Sequence, residues 1–237
     1  MAKERLDKLI ASTGRWSRRE VRQLVREGRV LADGRIVQSA EEKFDPELCA
    51  LCVNGAPLTL RKRTLVMLYK PAGVLSATED GRGKTVLDLL TPELRKIGVF
   101  PVGRLDKDTE GLLLLTDDGA LAHALLSPKK HVDKVYYARV SGRLTGEDCE
   151  AFEKGMTLGD GLRCMPASLE ILTAGERSEC LVTLREGKFH QVKRMLAARG
   201  KPVEYLKRLS MGPLQLDETL APGGFRLLTP EEEKALK

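Results

Sequence analysis

The sequence predicts an α+β protein in two parts: a small helical and hairpin module over residues 1–60, then a domain over residues 61–237 with a mixed, largely antiparallel sheet flanked by helices. Three observations predict it. Two short amphipathic helix patterns and an Asp33-Gly34 turn crowd the first forty residues. Strand and helix patterns then alternate irregularly, without the strict βαβ rhythm of a parallel sheet. The length of 237 residues also exceeds the usual span of one domain.

The first module is read from its boundaries. Lys3 to Ala11 is a helix pattern with Leu6, Leu9 and Ile10 on one face, ended by a turn at Thr13-Gly14. Ser17-Arg-Arg-Glu20 is a capping box: the serine hydroxyl accepts from the third helical amide while Glu20 reaches back to the serine amide. Val21, Leu24 and Val25 form the core stripe of this second helix, and Gly28 suits the left-handed residue after its end. Arg18, Arg22 and Arg26 recur every four residues on the opposite face, with Arg15, Arg19 and Arg29 nearby. Like charges so spaced repel unless an anion approaches, which favours an RNA-binding face over an ordinary solvated one. Val30 to Val37 reads as a hairpin, because Asp33-Gly34 supplies the positive φ angles of a type I′ turn. The polar stretch Leu60-Arg-Lys-Arg63 is the expected linker.

Beyond it, Leu65 to Tyr69, Gly111 to Thr116, Val135 to Val140 and Cys180 to Leu184 read as strands. Val86 to Leu90, Leu121 to Leu126, Glu147 to Lys154 and Gln191 to Arg199 read as helices. Apolar residues at 42% and charged residues at 31% exclude a disordered or fibrous chain. No apolar run approaches the roughly 18 to 20 residues of a membrane span. With a charged first segment, this leads to the expectation of a cytoplasmic protein. The net charge of +6 fits an anionic polymer partner, and the lack of heptads leads to the expectation of a monomer. Five scattered cysteines suit a reducing compartment. Cys49 and Cys52 form a CxxC without a second ligand pair, so they read as buried thiols and no metal site is expected.

Gly81-Arg-Gly-Lys-Thr85 would need a leading glycine at position 78 to be a phosphate loop. That residue is Thr78, and Glu79 and Asp80 set acids where amides should face phosphates, so a flexible basic loop is the better reading. In Phe100 to Gly111, polar residues are pinned between apolar strands, and Asp106 is the best-placed acid for chemistry; the alternative is a solvated loop. Asp106 and Asp108 lie too close in sequence to flank a sugar as a glycosidase pair. Lys193 and Arg194 fall at a helix start, where the macrodipole is already positive and an uncompensated cation costs about 0.3 to 1 kcal/mol. An RNA phosphate or the Asp106 carboxylate would compensate; otherwise both side chains extend into solvent. His190 has no partner at metal-ligand spacing, which leaves packing or RNA contact.

Two resemblances rest on these segments. Arg5-Leu-Asp-Lys8, the Ser17-Arg18-Arg19 helix start and Gly28-Arg-Val-x-x-x-Gly34 resemble the S4 RNA-binding domain over about residues 1–60. That resemblance implies Arg5, Lys8, Arg18, Arg19 and Arg22 as RNA contacts. Lys70-Pro71-x-Gly73, Gly103-Arg-Leu-Asp106-x-x-Thr109-x-Gly111 running on to Gly119, Lys134-x-Tyr136 and Glu186-Gly-Lys-x-His-Gln-Val-Lys-Arg-Met195 resemble the successive motifs of the RsuA family of pseudouridine synthases. The His190-Gln-Val-Lys193 form favours its small-subunit branch. This resemblance implies isomerisation of a uridine in 16S ribosomal RNA, without a cofactor, by Asp106 acting as nucleophile or base. The alternatives are 23S RNA as substrate, or a non-catalytic RNA-binding assembly protein. It further implies Lys193 as the cation beside Asp106, Tyr136 stacked on the extruded uracil, Arg104 holding the flipped nucleotide, Lys70 on the pocket wall, and Lys188 and Arg194 as RNA contacts. Ser210 stands where relatives often carry a second arginine.

Overall fold

The computed structural model describes residues 3–46, 48–60, 63–127 and 130–236; Arg61 and Lys62 of the expected linker lie outside them. Contacts divide the chain into one unit of residues 1–64 with 90–99 and another of 65–89 with 100–237.

The first unit contains β1 (Glu4–Arg5), α1 (Leu6–Ala11), α2 (Arg18–Arg26), β2 (Val30–Ala32), β3 (Arg35–Ile36), β4 (Lys43–Phe44), β5 (Leu51–Val53), β6 (Ala56–Leu58) and α3 (Pro92–Ile97). Pairing of β1 with β4 holds Glu4 and Arg5 extended, so α1 begins at Leu6 and not at Lys3. The capping box is formed: Ser17 accepts from the Glu20 amide, and Glu20 accepts from the Ser17 amide at 2.6 Å. Leu6, Ile10, Val21 and Leu24 pack on Val30, Leu51 and Val53 of the four-stranded sheet β3-β2-β5-β6. Each such buried aliphatic side chain contributes about 1.5–3 kcal/mol. Asp33 and Gly34 turn the β2–β3 hairpin with φ of 51° and 79°.

The second unit contains β7 (Leu65–Lys70), a 3-10 turn (Val86–Leu89), β8 (Phe100–Pro101), β9 (Glu110–Thr116), α4 (Gly119–Leu126), β10 (Lys134–Ser141), α5 (Gly146–Lys154), β11 (Met156–Thr157), β12 (Arg163–Cys164), β13 (Ser168–Thr173), β14 (Arg177–Leu184), α6 (Gln191–Ala198), β15 (Val203–Met211), β16 (Leu214–Gln215), β17 (Phe225–Leu227) and α7 (Pro230–Ala235). Its main sheet runs β13-β14-β10-β15-β9-β7-β17, with β16 on β15 and β8 on β9. The described strand pairings of this sheet are antiparallel except β15 with β9.

One core sets Phe152 of α5 and Val192, Met195 and Leu196 of α6 against β10 and β14; another sets Ala122 and Leu125 of α4 against Leu65, Met67, Leu112 and Leu114. Leu112 to Leu115 are all 0% exposed, so both faces of β9 are covered, and the strand reads as an unbroken apolar run. The parallel approach of β15 to β9 depends on Gly111, whose φ is 105° and where a Cβ would lie 2.2 Å from the Arg208 carbonyl oxygen. No helix of the described residues is long and apolar enough to cross a membrane.

Candidate active site

Asp106 lies in the loop between β8 and β9, and that loop is held from both sides. Ahead of it, the Ser76 hydroxyl donates to the Leu105 carbonyl at 2.8 Å and accepts from the Leu105 amide at 3.0 Å. Behind it, the Lys70 ammonium donates to the carbonyls of Thr109 (2.8 Å), Pro71 (3.0 Å) and Lys107 (3.2 Å). The Gly73 amide also donates to Lys107, and the Thr109 amide closes a turn on the Asp106 carbonyl. Lys70 is 0% exposed, and burial brings its ammonium down to about 8. The resemblance led to the expectation of Lys70 on the pocket wall. Its ammonium sits behind the loop, because its stem continues the buried strand β7, and Lys70 is not among the residues that line the cleft.

From α6, the Lys193 ammonium lies 3.1 Å from Asp106 Oδ2 and 2.5 Å from Asp108 Oδ1. Burial works against the Lys193 charge, but its bonds to Asp108 and Asp106 outweigh that and hold it above its ordinary value. The same ammonium holds Asp108 below the usual carboxylate range. The cation at this helix start therefore has internal acids. Arg194 likewise pairs with Asp160 at 2.6 Å. His190, in the left-handed region at φ 49°, caps α6 by backbone alone and sets Nε2 3.4 Å from Asp106 Oδ1. Phe189, 74% exposed, stacks on the His190 ring at 3.8 Å. The turn is fixed by Gln191, which donates to Glu186 at 2.7 Å and accepts from the Lys188 amide at 3.0 Å.

Asp106 opens on a cleft also lined by Arg104, Lys134, Tyr136, Lys188, Phe189 and Arg208. Arg104 is exposed and Tyr136 half-buried on β10. Lys188 pairs with Glu186 at 3.0 Å and donates to the Arg163 carbonyl, so it is tethered at the rim. Asp106, Arg104, Tyr136, Lys193 and Lys188 thus come together. Ser76, His190, Lys134 and Arg208 join them; of these, only His190 and Lys134 lie inside the quoted motifs.

The first unit alters the argument made for the arginine stripe. Asp7 is 0% exposed and takes Arg18 at 3.0 Å, Arg5 at 3.1 Å and Arg22 at 3.3 Å. Burial pushes its carboxyl up, but Arg18 and Arg5 outweigh this and bring it to about 2. The fold supplies the anion that the stripe was expected to await from RNA. Lys8 pairs with Glu4 at 2.8 Å, and Arg19 is exposed with no ion pair among the described residues. At residues 81–85, Asp80 accepts from the Arg82 and Gly83 amides at 2.9 and 2.7 Å, taking the donors a phosphate would need. The Cys49 thiol is pushed up to about 11, chiefly by burial.

Residues 64–198 match the RNA pseudouridylate synthase family, and residues 4–48 match the S4 domain. The uncharacterized RNA pseudouridine synthase YtzG of Bacillus subtilis (strain 168) is 50% identical over 229 residues, 96% of either chain. Ribosomal small subunit pseudouridine synthase A of Vibrio cholerae is 39% identical over 96% of this chain and 97% of its own. Ribosomal large subunit pseudouridine synthase B of Bacillus subtilis is 37% identical over 99% of this chain and 96% of its own. A solved structure, a crystal structure of pseudouridylate synthase, superposes with a TM-score of 0.69 at 34% identity, covering 99% of this chain and 100% of that one. A family match across more than half of the chain, joined to relatives aligned over nearly their whole length, establishes that this chain belongs to the RNA pseudouridylate synthase family and carries an S4 domain ahead of its synthase domain.

Proposed function

We propose that this chain isomerises a uridine of 16S ribosomal RNA to pseudouridine, with Asp106 as the catalytic carboxylate. The observation that carries the reading is Asp106 itself: a carboxylate 24% exposed, opening on a cleft, with the Lys193 ammonium 3.1 Å from one oxygen and Tyr136 and Arg104 lining the same cleft. The reaction breaks the N1–C1′ bond and joins C1′ to C5; the C5 proton leaves and N1 takes one up. Atoms and electrons balance without a redox or energy cofactor. Asp106 serves this sequence as a nucleophile or as a base.

Tyr136 offers a ring face to the extruded uracil, and Arg104 holds the flipped nucleotide from the rim. Extrusion costs a few kcal/mol, which binding of the flanking RNA offsets. That binding falls to the half-exposed guanidiniums of Arg18 and Arg22, to Arg5, Lys8 and Arg19, and to Lys188 and Arg194 in the second unit. The small-subunit relative supports 16S RNA as substrate. The large-subunit relative, nearly as similar, supports 23S RNA as a second reading.

The test is tritium release from 5-labelled uridine in 16S and 23S RNA, free and in assembly particles, by the wild type and Asp106→Asn. Release from 16S alone, lost in a variant that still binds RNA, is the expected result. Release from 23S alone would transfer the substrate. RNA binding without release from either would make the chain a binding protein.

A further inference from the structure

Two buried cations in the cleft make no ion pair among the described residues. Lys134 is 6% exposed, and its ammonium donates to the Val132 carbonyl at 2.8 Å. Arg208 is 3% exposed; its Nε donates to the Leu112 carbonyl at 2.7 Å, while its Nη2 has no hydrogen-bond partner among the described residues. Among those residues neither cation makes an ion pair. Asp133 acts on Lys134 at longer range, but its own partner is Arg185 at 2.8 Å. Carbonyl oxygens satisfy donors without cancelling charge, and like charges withdrawn together from water are costly until an anion joins them. Burial, aided by the Arg208 charge, pushes the Lys134 ammonium below its ordinary value.

Their placement is built into the sheet. Lys134 and Tyr136 alternate onto one face of β10. The β10–β15 register shifts between Val135 and Tyr136, so Arg208 stands opposite Tyr136, where an unshifted ladder would place Leu209. A bulge is a common device for re-aiming a side chain beside a functional site. Gly111, lacking a Cβ, lets β9 close against the Arg208 backbone.

The geometry points to a phosphate subsite formed by Lys134 and Arg208, which takes a backbone phosphate of the nucleotide whose base lies against Tyr136. This rests on the reading of the cleft as a uridine site. A phosphodiester brings the missing negative charge and two oxygens that suit a planar guanidinium. Uracil is neutral and would leave both charges uncancelled.

The test is equilibrium binding of uridine and its 3′- and 5′-monophosphates to the full-length wild type, Lys134→Gln, Arg208→Gln and Arg208→Lys, each checked for a cooperative unfolding transition. The wild type should bind one monophosphate at least about tenfold more tightly than uridine, a charged hydrogen bond being worth that much. Each glutamine variant should bring the ratio towards one with uridine binding kept, and Arg208→Lys should retain part of it. If Arg208→Gln does not fold, Lys134→Gln decides. A wild-type ratio near one, a folded glutamine variant with the full ratio, or a loss of uridine and monophosphate in equal proportion overturns the subsite. Tritium release by the wild type is read separately: its failure counts against the isomerase reading, and the binding ratio still decides the subsite.

Discussion

Replacing Ser76 by alanine removes one oxygen and no charge, yet it should reach Asp106. The hydroxyl is 8% exposed as part of its residue and holds both the amide and the carbonyl of Leu105, the residue before the carboxylate. Each bond contributes about 0.5–1.5 kcal/mol net, and an orphaned buried partner costs about 1–3 kcal/mol. The variant should therefore lose about 1–3 kcal/mol in urea unfolding if water reaches the two Leu105 groups, and about 2–6 kcal/mol if none enters. Lys70 still holds the far side of the loop, so the fold should survive. A displacement of the order of 1 Å costs up to about a hundredfold in rate. Single-turnover tritium release should fall about 10- to 100-fold, with KM altered less than about twofold because no RNA-binding cation is touched. Ser76→Cys, a weaker donor, should fall between. Stability and turnover both within error of the wild type would refute the view that this serine positions Asp106.

Asp7 predicts a pH dependence. A carboxyl lowered from 3.8 to about 2 stabilises the fold above its unfolded value and loses that stabilisation as pH falls through 4 towards 2. At about 1.4 kcal/mol per unit it amounts to about 2.5 kcal/mol, so urea unfolding at pH 6 and pH 2.5 should differ by about 1–2 kcal/mol more in the wild type than in Asp7→Asn. Lys193→Met leaves Asp106 and Asp108 without their shared ammonium; single-turnover tritium release should collapse, with partial rescue by Lys193→Arg. Release by Lys193→Met at the wild-type rate would count against Lys193 as the compensating cation. Gly111→Ala should cost at least about 3 kcal/mol, because its Cβ would meet the Arg208 backbone at 2.2 Å; thermal unfolding that matches the wild type would refute the close β9–β15 approach.

Legibility in the sequence followed the physical signal at each place. The Leu112 to Leu115 run is apolar because both faces of β9 are covered, and Ser17-Arg-Arg-Glu20 is a local device that needs no tertiary context. Strand β15 gave neither signal, since Glu204, Lys207 and Arg208 interrupt its apolar residues, yet it crosses the middle of the sheet and supplies Arg208. Asp7 lies 11 and 15 residues from Arg18 and Arg22, a pairing that only the packing of α1 on α2 creates. Ser76 is one serine in a loop, 29 residues from Leu105. The neighbours of Asp106 needed the resemblance or the fold, because periodicity carries no distance between elements.

The basic residues of the synthase unit divide by what already answers them, and the division assigns their work. Lys193, Arg194 and Lys188 have carboxylate partners in Asp106 with Asp108, Asp160 and Glu186. Such pairs order the loops around the cleft before any RNA arrives, and a substrate phosphate must compete with them. Among the described residues Lys134 and Arg208 bond to carbonyls and to no carboxylate, so an incoming anion meets charge already stripped of water and has no ion pair to displace. Added salt should therefore separate the two groups. Loss of a tethered rim cation should weaken RNA binding and flatten its salt dependence by less than loss of an untethered one, because Glu186 or Asp160 already offsets part of its charge. Loss of Lys134 or Arg208 should flatten the dependence of log affinity on log salt by about 0.7, the decrement for one phosphate contact on a single strand. A larger flattening with Lys188→Gln would mean that RNA displaces Glu186 and that the rim, not the sheet face, carries the phosphate.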